Sequence, residues 1–272
     1  MSCLDDFESN IGEVLAVAAH SASLLRGPSA TDRVVANAMT RAGLVLLCGY
    51  VEGFLRDLVS ESIERVNGLG FSPGEFPLEL LGALIDDVAD TSGSRRQTEL
   101  ARLKSALDGI SPFELSGKRI SSTGGNPTVD VVEGMLAVFG VCHAIDRLSI
   151  EHFGVDSTFT VEAQSASLAA QFMSVVDGDV TKVDALLTAV DAKWLPRKRR
   201  RNVGYVHSLQ ELLKRRHRVA HGEGKDPVTP GDLENAAGEM HQLCRGLHSL
   251  LSSRLDEISL LKAGGGVAPV VA

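Results

Sequence analysis

Apolar positions recur at three- and four-residue spacing from Leu4 to Leu25, which predicts a first helix. After the Gly27-Pro28 break, Thr31 is placed to cap a long second helix that runs to about Val66 and stops at Asn67-Gly68-Leu69-Gly70. A turn follows (Ser72-Pro73-Gly74, Phe76-Pro77), then helices near Leu78–Val88 and Arg95–Leu107. Gly117 to Pro127 has the composition of a loop, and Thr128 is expected to cap a helix to Phe139, with another over Cys142–Phe153. Signals mix over residues 154–176: Thr158-Phe159-Thr160-Val161 suits a short strand, and helical spacing resumes over Ala163–Val175. Thr181–Val190 is a further short helix.

The last third has clearer punctuation. Tyr205–His221 reads as a helix closed by Gly222. Thr229-Pro230-Gly231-Asp232 is a start signal, with Thr as cap, Pro at the first helical position and an acid two residues later. Leu233 to Leu261 follows as one long helix, and Ala263–Ala272 is expected to be a disordered, glycine-rich tail. The expectation is therefore an all-α chain with one helical domain over residues 1–262 and no internal repeat.

Composition agrees. Of 272 residues, 44% are apolar and 23% charged, which excludes a disordered, collagen-like or mucin-like chain. One Trp, two Tyr and nine Phe leave Leu, Val, Ala and Ile to fill the core, as packed helices allow. The longest uncharged apolar run, Ala42 to Val51, is ten residues, against the roughly 20 that span a bilayer. An N-terminus bearing Asp5, Asp6 and Glu8 lacks the basic start of a signal peptide. Cys3, Cys48, Cys142 and Cys244 lie far apart with no CxxC pair, so they read as reduced thiols. A cytoplasmic protein with no membrane partner is expected.

Charge changes the picture. Residues 193–218 hold ten basic side chains and one acid, Glu211, for a net +9; the rest of the chain is −17. An acidic protein with one basic segment points to an anionic partner. Within that segment, Pro196-Arg197-Lys198-Arg199-Arg200-Arg201 precedes the Tyr205–His221 helix and is a candidate phosphate-binding run. Lys214, Arg215 and Arg218 extend it.

On a helical wheel at about 100° per residue, Val206, Leu209, Leu212, Leu213, Val219 and Ala220 form one apolar stripe. Arg216, seven residues on from Leu209, falls within about 20° of the stripe's centre. A guanidinium there is costly. Either the helix end protrudes and Arg216 pairs with a buried acid, or Arg216 sits in a partly wet cleft between subunits. Arg215 and Arg218 point away from the stripe. His221 lies about 140° from Arg216, so spacing alone does not put the two on one face. A His in the last turn feels the negative end of the helix dipole, which favours the imidazolium.

Leu212-Leu213-Lys214-Arg215-Arg216-His217-Arg218-Val219-Ala220-His221-Gly222 resembles the signature of the HEPN superfamily, an Arg, four to six residues and a His at a helix end followed by Gly. Val228-Thr229-Pro230-Gly231-Asp232-Leu233 resembles the family's lead into its final helix. Leu44 to Leu55 and Asn126-Pro127-Thr128 to Gly140 resemble segments of larger bacterial HEPN proteins, the RiboL-PSP type in particular. These stretches cover less than half of the chain. The resemblance implies a HEPN-like antiparallel helical bundle, with a motif-bearing core over 31–66 and 126–262 and additional N-terminal and inserted helices. It implies a homodimer that brings two Arg–His pairs into one cleft. It further implies a metal-independent endoribonuclease with no cofactor, acting as a toxin or phage-defence effector with RNA as substrate and an antitoxin or defence protein as partner. Arg216 and His221 would be the catalytic pair. Arg215 also satisfies the loose spacing. His217 stands where the family often has Asn, and either replaces that polar contact, adds a second acid/base or marks a silent RNA- or protein-binding module.

The residue types suit that chemistry. RNA is cut when its own 2′-OH attacks the adjacent phosphate, which needs proton transfer and stabilisation of negative charge on phosphorus. His supplies the first, and the planar, permanently charged Arg supplies the second. His217 and His221 also make an HxxxH pair, but Arg218 stands where a zinc protease has its Glu, and no third ligand is apparent. Glu52, after the apolar run, either orients Arg216 or His221 or is an ordinary exposed acid.

Overall fold

A computed structural model of the chain describes residues 2–72, 75–90, 93–112, 114–116, 120–155, 202–222 and 228–263. Eight helices account for most of these residues, with no strand among them: α1 (Cys3–Leu25), α2 (Ala30–Gly68), α3 (Leu78–Asp90), α4 (Gly93–Leu107), α5 (Val129–Ala137), α6 (Ala144–Phe153), α7 (Gly204–Ala220) and α8 (Pro230–Ala263). The strand at 158–161, the helices at 163–175 and 181–190 and the basic run 197–201 lie outside the described residues, as does the expected tail except for its first residue, Ala263, which ends α8.

Local chemistry explains most of the boundaries. Ser2 and Asp5 form a reciprocal capping box at the start of α1. The cap of α2 is Ser29, not the expected Thr31: its hydroxyl accepts from the Asp32 amide at 3.2 Å, and Thr31 falls inside the first turn. Gly70, at φ +59°, turns the chain away after α2. Thr128 caps α5 as expected, but the helix ends at Ala137, two residues before Phe139. Phe139 is buried in the turn that follows, and its carbonyl accepts from Arg254 Nε at 3.0 Å. α6 begins at Ala144, not Cys142, because the buried Glu133 carboxylate of α5 accepts from the Ala144 and Ile145 amides, both at 3.0 Å. A cap reaching across from another helix leaves no local sequence signal. At α8 the expected box forms: Asp232 N donates to Thr229 Oγ1 and Thr229 N donates to Asp232 Oδ2, both at 3.0 Å.

The core is a layer of aliphatic side chains between α1, α2 and α8. Phe7 meets Phe54 with ring centroids 4.8 Å apart. Leu44, Leu47, Val51, Leu55 and Val59 of α2 face Leu233, Ala237, Met240, Cys244 and Leu247 of α8 in one buried cluster. Gly43 allows that approach, since a Cβ there would lie 2.6 Å from Leu233 Cδ2. By length and composition α2 is long and apolar enough to cross a bilayer. Its apolar side chains are divided between this core and an outer face where Val34, Val35, Val45 and Leu46 are exposed.

α7 packs against α2, α6 and α8. Its first turn is pinned at Tyr205, which is fully buried and donates its amide to Ser149 Oγ at 3.1 Å and its hydroxyl to Gln242 Oε1 at 3.4 Å. Its C-terminal half meets the start of α8 through Arg215 and Asp232 at 3.7 Å. The two helices therefore run antiparallel, as the short connection between them predicts.

Candidate functional site

The apolar stripe of α7 is used unevenly. Val206, Leu209 and Leu212 are buried, Leu213 and Val219 are half-buried, and Ala220 is exposed. The helix end thus emerges from the core, and its last turn carries His217, Arg218 and His221 into solvent. The helix closes where the His221 amide donates to the His217 carbonyl at 3.0 Å and Gly222 takes φ +66°.

Arg216 continues the buried stripe and is half-buried. Its partner is not a buried acid. Nη1 donates to the Gly125 carbonyl at 3.1 Å and to Asn126 Oδ1 at 2.6 Å. Both acceptors are neutral, so the guanidinium is held without being neutralised. Nε and Nη2 make no hydrogen bond among the described residues, and that edge is the one suited to two-pronged contact with phosphate oxygens.

The loop that receives Arg216 is itself tied to α2. Thr123, 4% exposed, donates its hydroxyl to Glu52 Oε1 at 2.6 Å. Glu52 therefore reaches the site through the loop, with no direct bond to Arg216 or His221. One turn before Glu52 on α2, the buried Cys48 thiol approaches the Leu212 carbonyl of α7 at 3.9 Å. Burial pushes that thiol up to about 12, with Arg216 pulling it down and Glu52 adding to the rise.

His217 and His221 lie one turn apart with ring centroids 4.2 Å from each other. No hydrogen bond joins either imidazole to Arg216 among the described residues. The structure thus pairs the two histidines with each other and pairs Arg216 with the 125–126 loop. A shallow groove of about 620 Å³ opens beside them, lined by Asn126, Thr128, Leu213, His217, Arg218 and the Glu211–Lys214 pair.

The flanking cations divide. Lys214 pairs with Glu211 at 2.8 Å, and Arg218 is exposed on the last turn. Arg215, which points away from the apolar stripe, is half-buried against Asp232. The Asp232 carboxyl lies below its ordinary range because Thr229 donates two hydrogen bonds to it and Arg215 adds charge attraction. Arg197, Lys198, Arg199, Arg200 and Arg201 lie outside the described residues. Among the described residues, no three His, Cys, Asp or Glu side chains converge as a metal-ligand set.

Thr123, Gly125 and Asn126 were not among the expected site residues. Asn126 opens the segment that leads into the Thr128 cap, but its contact with Arg216 spans 90 positions, and no local pattern encodes that.

No curated protein and no solved structure matches the chain. The RiboL-PSP-HEPN family model matches residues 16–253, a span that contains the Arg216–His221 helix end, its receiving loop and Glu52. The chain belongs to the RiboL-PSP-HEPN family, a class of ribonuclease-type or RNA-binding modules.

Proposed function

We propose that the protein is a metal-independent endoribonuclease that works as a homodimer and serves as a toxin or phage-defence effector. The observation that carries this reading is the half-buried Arg216, fastened through Nη1 to neutral acceptors with its Nε/Nη2 edge left over, on the helix end that bears His217 and His221. In the reaction, the 2′-OH attacks the adjacent phosphorus and the bond to the 5′ oxygen breaks. Arg216 meets the phosphoryl oxygens as charge builds on them. His221 moves the proton, and His217 beside it lends a second imidazole. The cleft completed by a second copy is what the HEPN resemblance implies. Lys214, Arg215, Arg218 and the run Arg197–Arg201 supply the basic surface for RNA. The compartment is the cytoplasm, and an antitoxin or defence protein is the expected protein partner.

The test is purified protein, its dimeric state established by sedimentation, incubated with mixed RNA in EDTA. The expected 5′ fragments end in a 2′,3′-cyclic phosphate. Intact RNA from a demonstrated dimer overturns the ribonuclease and leaves a module that binds RNA or a protein without cutting, in line with His217 standing where the family often has Asn.

A further inference from the structure

Arg216 on α7 and Glu52 on α2 carry opposite charges and reach the same short loop, Glu52 at Thr123 and Arg216 at residues 125 and 126. Among the described residues, these two form no ion pair: each is engaged elsewhere, by different atoms of one short loop.

Thr123 is the centre of that loop. Its buried hydroxyl donates to Glu52 Oε1 at 2.6 Å and accepts from the Gly125 amide at 3.4 Å. Its carbonyl accepts from the Asn126 amide at 3.2 Å. The turn needs φ of +60° at residue 124 and +83° at residue 125, and both are Gly. The folded-back chain then offers the Gly125 carbonyl and Asn126 Oδ1 to Arg216 Nη1. One hydroxyl therefore holds one oxygen of the carboxylate and shapes the neutral seat of the guanidinium.

We propose that Thr123 is a positioning residue that holds Glu52 off Arg216, so that the guanidinium meets a phosphodiester with its charge intact. This rests on the ribonuclease reading for what Arg216 binds. If Thr123 loses its hydroxyl, Glu52 is released from the loop that seats Arg216, and a carboxylate that pairs with Arg216 competes directly with phosphate.

The experiment uses the full chain and two probes: a short single-stranded oligoribonucleotide and its 2′-O-methyl counterpart, which cannot be cut by its own hydroxyl. Thr123→Val is expected to weaken binding of the 2′-O-methyl strand on the order of tenfold, as loss of one charged hydrogen bond does, and to slow cleavage in step. Thr123→Ser keeps the hydroxyl and should behave as wild type. The deciding variant is Thr123→Val with Glu52→Gln: an uncharged amide cannot neutralise Arg216, so binding and cleavage should recover most of the loss. Should Thr123→Val not fold, Thr123→Ala carries the same expectations.

Wild-type behaviour in Thr123→Val, or no recovery on adding Glu52→Gln, overturns the proposal; the second result makes the loop a structural support only. Wild-type protein that binds but does not cut removes the ribonuclease reading and leaves the binding arm to decide Thr123. Cleavage intact in Thr123→Val but lost in Arg216→Ala removes the role of Thr123 alone. If wild type binds no RNA, titration with inorganic pyrophosphate decides: its affinity must fall in Thr123→Val and in Arg216→Ala, and absence of binding overturns both ideas.

Discussion

Replacing Arg216 separates stability from chemistry. Its two Nη1 bonds are open to solvent, so water can take over the Gly125 carbonyl and Asn126 Oδ1 when the side chain is cut back. The stability loss in Arg216→Ala should then be about 0–1 kcal/mol, a melting shift of no more than about 4 °C for a chain of this size. Relief of a partly desolvated charge offsets part of that loss. The transition state loses far more. A donor aimed at developing negative charge is worth about 2.7–4 kcal/mol, so kcat/KM should fall roughly 10²- to 10³-fold. Arg216→Lys tests the fork itself. The ammonium keeps the charge but is a single point, so gripping the loop and the phosphate at once is harder, and about a tenfold loss or more is expected. Initial rates on a labelled oligoribonucleotide in EDTA, beside thermal melts of the same preparations, read both quantities. Arg216→Ala cleaving within a few-fold of wild type, or Arg216→Lys at full activity, would refute the reasoning. Activity lost together with a collapsed melt would make Arg216 a structural residue.

Three further outcomes are expected. His221→Ala should cost on the order of 10²-fold in cleavage, and the double variant with Arg216→Ala should lose much less than the product of the two, because both act on one transition state; His217→Asn should stay active, and denaturing gels measure all of these. Neutralising Arg199, Arg200 and Arg201 together should weaken RNA binding across sequences and flatten its dependence on salt in a titration series; an unchanged slope returns the run to a solvated loop. Gly246→Ala should destabilise the fold by about 1–3 kcal/mol in a denaturant or thermal melt, since the added Cβ would lie 2.6 and 2.8 Å from the Leu148 methyl carbons at the α6–α8 contact; an unchanged melt would mean that α6 shifts freely.

Much of the fold was legible in the sequence because its signals are local. The 3.6-residue spacing of Leu, Val and Ala places α1, α2, α7 and α8 within a few residues of their observed limits. Ser/Thr caps and stop glycines work within four positions, so Thr128, Thr229 and Gly222 could be assigned from their neighbours alone. The anomaly of Arg216 was visible for the same reason: a helix wheel needs only the helix. Tertiary structure alone decided what Arg216 touches. A protruding helix end exposes part of the stripe, and a guanidinium there can be met by an acid or by neutral carbonyls at similar distance; the choice belongs to a loop 90 residues away. The same holds for Glu133, whose cap on α6 bridges two helices, and for Glu52, whose partner Thr123 lies 71 positions on. Periodicity and capping propagate along the backbone and are written in the order of residues. Hydrogen bonds between distant segments depend on how packed helices bring chain ends together, and no run of adjacent side chains records that.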